Sequence, residues 1–137
     1  MPPATRLDPL LKLKEREEQR QMIRLAAASR ALQAVQELEA DLRRKAAGSD
    51  LRAAPAEAWM LREEAHQRAL RELHQAREAV AAAEKACQAA RAAFLVATQT
   101  AEAFRKATER KRNEIVQEIE RREQKTLEEM AALLAHS

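Results

Sequence analysis

Three groups of side chains in this 137-residue chain have types and spacings that could do chemistry. Glu63-x-x-His66 sets a carboxylate and an imidazole on one face of a helix, the spacing with which helical bundles hold paired metal ions. Such a site needs a second copy of the motif and glutamates from two other helices, and the sequence supplies neither. His66 and His74 lie about two helical turns apart, too far to share an ion. The pair therefore reads as solvated side chains. Cys87, the single cysteine, is spaced with small apolar residues and has no basic neighbour at that spacing to activate its thiol. It reads as a core filler. Arg105, Lys106, Arg110, Lys111 and Arg112 form the densest basic cluster, with Glu109 inside it and Glu102, Glu114 and Glu118 within helical reach. No aromatic residues interleave to stack bases, so the cluster is a solvated face or a surface for an acidic protein partner. One glycine cannot build a phosphate-binding loop, and a thin helical rod offers no pocket in which a Ser/His/Asp set could converge. The sequence thus points away from an enzyme, a metal centre or a bound cofactor.

The elements that carry these residues are helices. Ala, Glu, Lys, Arg and Leu make up about two-thirds of the chain, a composition of long helices. There are 32 alanines, two phenylalanines, one tryptophan and no tyrosine, too little bulk for a rounded core. Charges of both signs are interspersed, so the net +3 does not imply nucleic acid. No run of apolar residues is long enough to cross a membrane, and the first residues do not read as a secretion signal, so a soluble, cytoplasmic protein is expected. The lone cysteine agrees with a reducing compartment.

Asp8 followed by Pro9 suits a helix start, with Thr5 as an earlier alternative cap. Leu10, Leu11, Met22, Leu25, Leu32, Val35, Leu38 and Leu42 then recur at helical steps, interrupted by the charged segment KEREEQRQ. Gly48 stands where a C-cap glycine belongs, and Pro55 opens a second helical pattern with Glu57 in its first turn. The reading is a single elongated domain: helix 1 over about 8–47, a turn over about 48–54, and helix 2 over about 55–135. In the second helix Leu73, Val80, Cys87, Phe94, Ala101, Thr108 and Ile115 recur every seven residues, with Ala76, Ala83, Ala90, Ala97 and Phe104 between them. That is a heptad seam, and a short turn makes the first helix its natural antiparallel partner. The expected fold is all-α, a two-helix antiparallel coiled-coil hairpin with a long overhanging C-terminal helix.

If the turn centres near residue 51, Leu32 faces Arg71, Leu11 faces Ala92, and helix 1 is exhausted by about residue 98. Everything from Gln99 onward would overhang, including Phe104, Ile115, Val116, Ile119, Leu127, Met130, Leu133 and Leu134. An apolar stripe there marks a partner surface, or else two chains cover each other's overhangs. Near the turn, Trp59, Met60, Leu61, Leu70 and Leu73 form a second apolar group. It either staples the turn against Leu42 and Leu51 or serves as a docking surface.

The opening RLDPLLKLKEREEQR, the alanine-rich LAAASRALQAVQELEADL, Trp59 after the turn and the closing ERKRNEIVQEIERREQKTLEEMAAL together resemble FliJ, the flagellar export protein, nearly end to end. Leu127-Glu128-Glu129 stands where the family commonly has Leu-Asp-Glu. The resemblance implies a non-enzymatic, antiparallel two-helix stalk similar to the central shaft of rotary ATPases. Its implied partners are the hexameric export ATPase, the export gate membrane protein and export chaperones, at the cytoplasmic face of the inner membrane. The residues expected to meet the ATPase are Arg105, Lys106, Arg110, Lys111, Arg112, Arg121 and Arg122 by charge, and Ile115, Ile119, Leu127 and Met130 by apolar contact. Trp59, Leu61, Leu70 and Leu73 would face the gate or a chaperone. A stalk protein of a virulence-type secretion system shares this architecture. A generic dimeric coiled-coil scaffold would instead pair the overhang with itself, and a nucleic-acid-binding arm would show steeply salt-dependent affinity.

Overall fold

The structure, a computed structural model, describes residues 2–48 and 56–136. Those residues form two long helices that pack against each other, α1 (Asp8–Gly48) and α2 (Ala56–Ala135), with no strand among them. The expected hairpin is therefore the observed one. The turn residues beyond Gly48, Leu51 and the helix-opening Pro55 lie outside the described residues. Gly48 closes α1 as its last helical residue without a positive φ, so the left-handed cap that its position suggested does not form.

Helix α1 begins through a reciprocal cap that uses both candidate residues. The Thr5 hydroxyl accepts a hydrogen bond from the Leu7 N–H at 3.2 Å and donates to Asp8 at 2.9 Å. The Asp8 carboxylate in turn accepts from the Thr5 N–H at 3.0 Å. This is the logic of a capping box, with an aspartate in the third position in place of the usual glutamate.

The packing divides into two compact units. The first joins the chain up to Gln19 with the part of α2 from Leu95 onward, and the second comprises Arg20–Phe94. In the second unit the core is a cluster of Ala46, Ala69 and Leu73 with Leu42 packed against it. Ala76 and Cys87 are buried, and Val80, Ala83, Ala90 and Phe94 are half-buried, as the heptad spacing predicts. Facing them on α1, Leu25, Ala28, Leu32, Val35, Glu39, Leu42 and Ala46 are covered or partly covered, at alternating steps of three and four. Met22 and Leu38, counted into the apolar stripe from sequence, point away and are exposed.

In the first unit the same walk passes through Leu7, Leu11, Lys14 and Glu18 on α1, all partly covered. On α2 it passes through Ala97, Ala101, Phe104, Thr108, Arg112 and Ile115, of which Ala101 is fully buried. The segment that read as an interruption of the stripe is thus part of the seam, with Lys14 Nζ 5.6 Å from the centre of the Phe104 ring and Glu18 paired with Arg105.

The register corrects the sequence reading. Ser29 Oγ lies 3.7 Å from Cys87 Sγ, Glu39 pairs with Arg77, Glu18 with Arg105, and Asp8 with Arg112. A hairpin centred on residue 51 would have ended the pairing near residue 98, whereas it reaches Arg112. The physical reason lies at the other end of the pairing, where Ala46 and Leu42 meet Ala69 and Leu73 rather than the first residues of α2. The opening turns of α2 are not matched residue for residue by the end of α1.

Candidate partner-binding surfaces

Glu63 accepts a hydrogen bond from Gln67 at 3.1 Å, and His74 lies 3.0 Å from Glu78. No group of three His, Cys, Asp or Glu side chains among the described residues is arranged to hold a metal ion. Cys87 is buried beside Ser29.

The basic residues proposed for the ATPase fall into three kinds once their partners are known. Arg105 and Arg112 are spent within the hairpin. Arg105 Nη2 donates to Glu18 at 2.6 Å, its Nε lies 4.0 Å from Glu15, and its Nη1 meets Glu102 at 3.4 Å. Arg112 Nη2 donates to Asp8 and its Nε to the Pro3 carbonyl, each at 3.2 Å. Lys111, Arg121 and Arg122 make pairs along their own helix surface. Lys111 lies 3.7 Å from Glu114, while Arg121 and Arg122 both reach Glu118, at 2.8 and 3.2 Å. The Arg121 bond first, with the Arg121 charge and Arg122 adding to it, holds the Glu118 carboxyl below its ordinary value against the opposing effect of desolvation. Such exposed pairs contribute little and exchange partners readily. Lys106 and Arg110 line an open groove of about 540 Å³ with Thr98, Gln99, Glu102 and Ala103.

The apolar candidates divide as sharply. Ile115 is half-buried at the end of the paired seam. Past it, every described residue of α2 except Glu118 is exposed. Val116, Ile119, Leu127, Met130, Leu133 and Leu134 form a row of apolar side chains at helical spacing, with Leu133 and Leu134 about three-quarters exposed. Near the start of α2, Trp59, Met60, Leu61 and Leu70 are also exposed. Leu73 is not among them: it is 6% exposed and packs with Ala46, Ala69 and Leu42, so the hairpin has taken its side chain and it cannot serve as a docking residue.

Sequence reasoning missed the acidic half of the first unit. Glu15, Glu18 and Asp8 present carboxylates to Arg105 and Arg112, and Lys14 Nζ stands 5.6 Å from the centre of the Phe104 ring. The available signal was the three-residue spacing of Glu15 and Glu18, which puts both carboxylates on one face.

Asp8 is held in its charged form. Its carboxyl lies below the ordinary 3.8, first because it accepts the Thr5 N–H and then the Thr5 hydroxyl, with the charges of Arg112 and Lys12 adding to this against partial desolvation. A carboxyl depressed in this way favours the folded pairing at all pH above 3.8, and the contribution is lost as pH falls through the lower folded value. An NMR titration of Asp8 is expected to give a midpoint below 3.8, and Thr5→Val should raise that midpoint more than Arg112→Gln does. The reverse order would show that Arg112 outweighs the Thr5 hydroxyl.

No helix among the described residues is long and apolar enough to cross a membrane. No curated protein and no solved structure matches the chain. The family model described as Flagellar FliJ protein does match it, over residues 3–137. The match supports a component of flagellar-export type, and the family it matches is a non-catalytic one. With a match over essentially the whole of its length, the chain belongs to the FliJ family.

Proposed function

We propose that this protein is a stalk that binds and activates a hexameric flagellar export ATPase through the part of α2 that follows Ile115. The observation that carries this reading is the exposed apolar row from Val116 to Leu134, on a helix whose pairing with α1 ends near the contact of Asp8 with Arg112. A shaft in a six-fold pore must touch six equivalent subunits without locking to one of them. Moderate apolar area flanked by mobile charges meets that need better than one deep anchor. In this reading Ile119, Leu127 and Met130 supply the apolar contacts. Lys106, Arg110, Lys111, Arg121 and Arg122 supply charge to acidic loops, while Arg105 and Arg112 keep the hairpin in register. Co-sedimentation with the ATPase tests this: the full chain should bind, and a chain lacking residues 116–137 should not. Equal binding by both would overturn the reading.

The exposed group of Trp59, Met60, Leu61 and Leu70 supports a second contact, to the export gate membrane protein or to an export chaperone, at the cytoplasmic face of the inner membrane. The core cluster of the helix pair consists of Ala46, Ala69 and Leu73 with Leu42 against it, and the exposure of Trp59 and Leu61 outside that cluster supports the docking reading. Trp59→Ala with Leu61→Ala should reduce flagellar protein export several-fold and leave the helical circular dichroism unchanged. A loss of helicity that tracks the loss of export would assign these residues to the fold instead.

A further inference from the structure

The seam of the first unit differs in kind from that of the second. In the second unit α1 contributes Leu25, Leu32, Val35 and Leu42. In the first it contributes Leu7 and Leu11 together with Asp8, Lys14 and Glu18, so much of the pairing rests on charged groups. Those groups are not sealed from water: the Arg105, Glu18, Arg112 and Asp8 side chains retain 40%, 20%, 33% and 30% of their exposure. Attraction between such groups is screened by salt, with a Debye length of about 8 Å at physiological ionic strength and about 3 Å at 1 M. The fit is also incomplete. Thr108 is 1% exposed, and its hydroxyl has no hydrogen-bond partner, a cost that a better-matched neighbour would remove.

On the α2 side, the surface beneath this pairing is a good seat for a helix. Ala97, Ala101, Phe104, Thr108 and Ile115 give a narrow apolar stripe on which small residues admit a close backbone. Arg105 beside it and Arg112 within it, seven residues apart, are fixed points for carboxylates.

We propose that Thr5–Glu18 is a displaceable clasp, and that the face of α2 beneath it, from Ala97 to Ile115, is a docking site for an amphipathic helix bearing carboxylates spaced to meet Arg105 and Arg112. Charge complementarity selects that occupant, because the clasp itself holds the site with Asp8, Glu15 and Glu18. Release joins this face to the exposed row beyond Ile115 and lengthens the apolar surface α2 can offer. The proposal concerns the hairpin itself and does not depend on the identity of the protein that grips the C-terminal part of α2.

The test uses the full chain with Cys87→Ser and a pair of spin labels across the clasp, at Lys12→Cys and Arg110→Cys. A second pair, at Gln36→Cys and Ala82→Cys, reports on the other unit. Raising salt from 0.05 to 1 M, or introducing Arg112→Glu, should increase the long-distance population of the first pair at least threefold and leave the second pair unchanged. Combining Asp8→Arg with Arg112→Glu should restore the short distance. A synthetic peptide of residues 2–19 should then bind the Asp8→Arg chain, whose clasp is loosened while Arg112 is kept, and bind the Arg112→Glu chain at least tenfold more weakly. A first pair unmoved by salt and by Arg112→Glu would overturn the clasp, as would both pairs moving together. Release without peptide binding would overturn the docking site.

Discussion

Serine at Ile119, Leu127 and Met130 together is expected to weaken binding to the export ATPase by roughly 100- to 1,000-fold, since the half of each large apolar side chain still open to burial is worth about 1 kcal/mol or a little more. The three are 47%, 61% and 54% exposed in the protein alone, so they contribute little to its own packing and have most of that area left to bury against a partner. Serine lowers helix propensity only by about half a kcal/mol per site, so helical circular dichroism should be nearly unchanged. Arg121→Gln with Arg122→Gln makes a contrasting variant. Both arginines already share Glu118, so removing them should alter the association rate and its salt dependence more than the final affinity. Titration of labelled protein into the ATPase at two salt concentrations separates the two effects. A triple-serine chain that binds like the parent would mean that the apolar row is not the contact.

Leu73→Ala is expected to cost about 3 kcal/mol of stability, which for a chain of this length lowers the melting temperature by about 10 °C. Leu73 is the largest side chain in the cluster with Ala46 and Ala69, and alanine neighbours have no atoms with which to fill the space it leaves. Leu61→Ala removes the same number of atoms from a site that is 70% exposed and should change stability by less than about 0.5 kcal/mol. Thermal unfolding followed by circular dichroism compares them directly. Equal effects at the two sites would contradict the placement of the core.

The helices and the seam of α2 were legible because alanine alternates there with larger residues at heptad spacing, and no glycine or proline interrupts it after Pro55. The register was not legible for a reason that lies in the same periodicity. A seam that repeats every seven residues meets its partner about equally well after a slip of one heptad, so spacing alone cannot choose among slips. The choice falls to individual contacts: Asp8 with Arg112, Glu18 with Arg105, Glu39 with Arg77, and Ser29 beside Cys87. Each joins residues far apart in the chain, and none is marked by a local pattern. Lys14 and Glu18 were obscured by their own chemistry, since charged residues read as a break in an apolar stripe although their stems can cover one. The same register decides which candidate residues remain available. It places Arg105, Arg112 and Leu73 in the hairpin, and it leaves the row beyond Ile115, together with Trp59, Leu61 and Leu70, facing outward.

ATP hydrolysis by the purified export ATPase, measured with increasing amounts of this protein and of the chain lacking residues 116–137, tests the stalk most directly. A stalk that works through the exposed end of α2 should raise the rate in a saturable manner with the full chain and leave it at the basal level with the shortened one. Equal stimulation by both chains, or none by the full chain at concentrations where it binds, would contradict it.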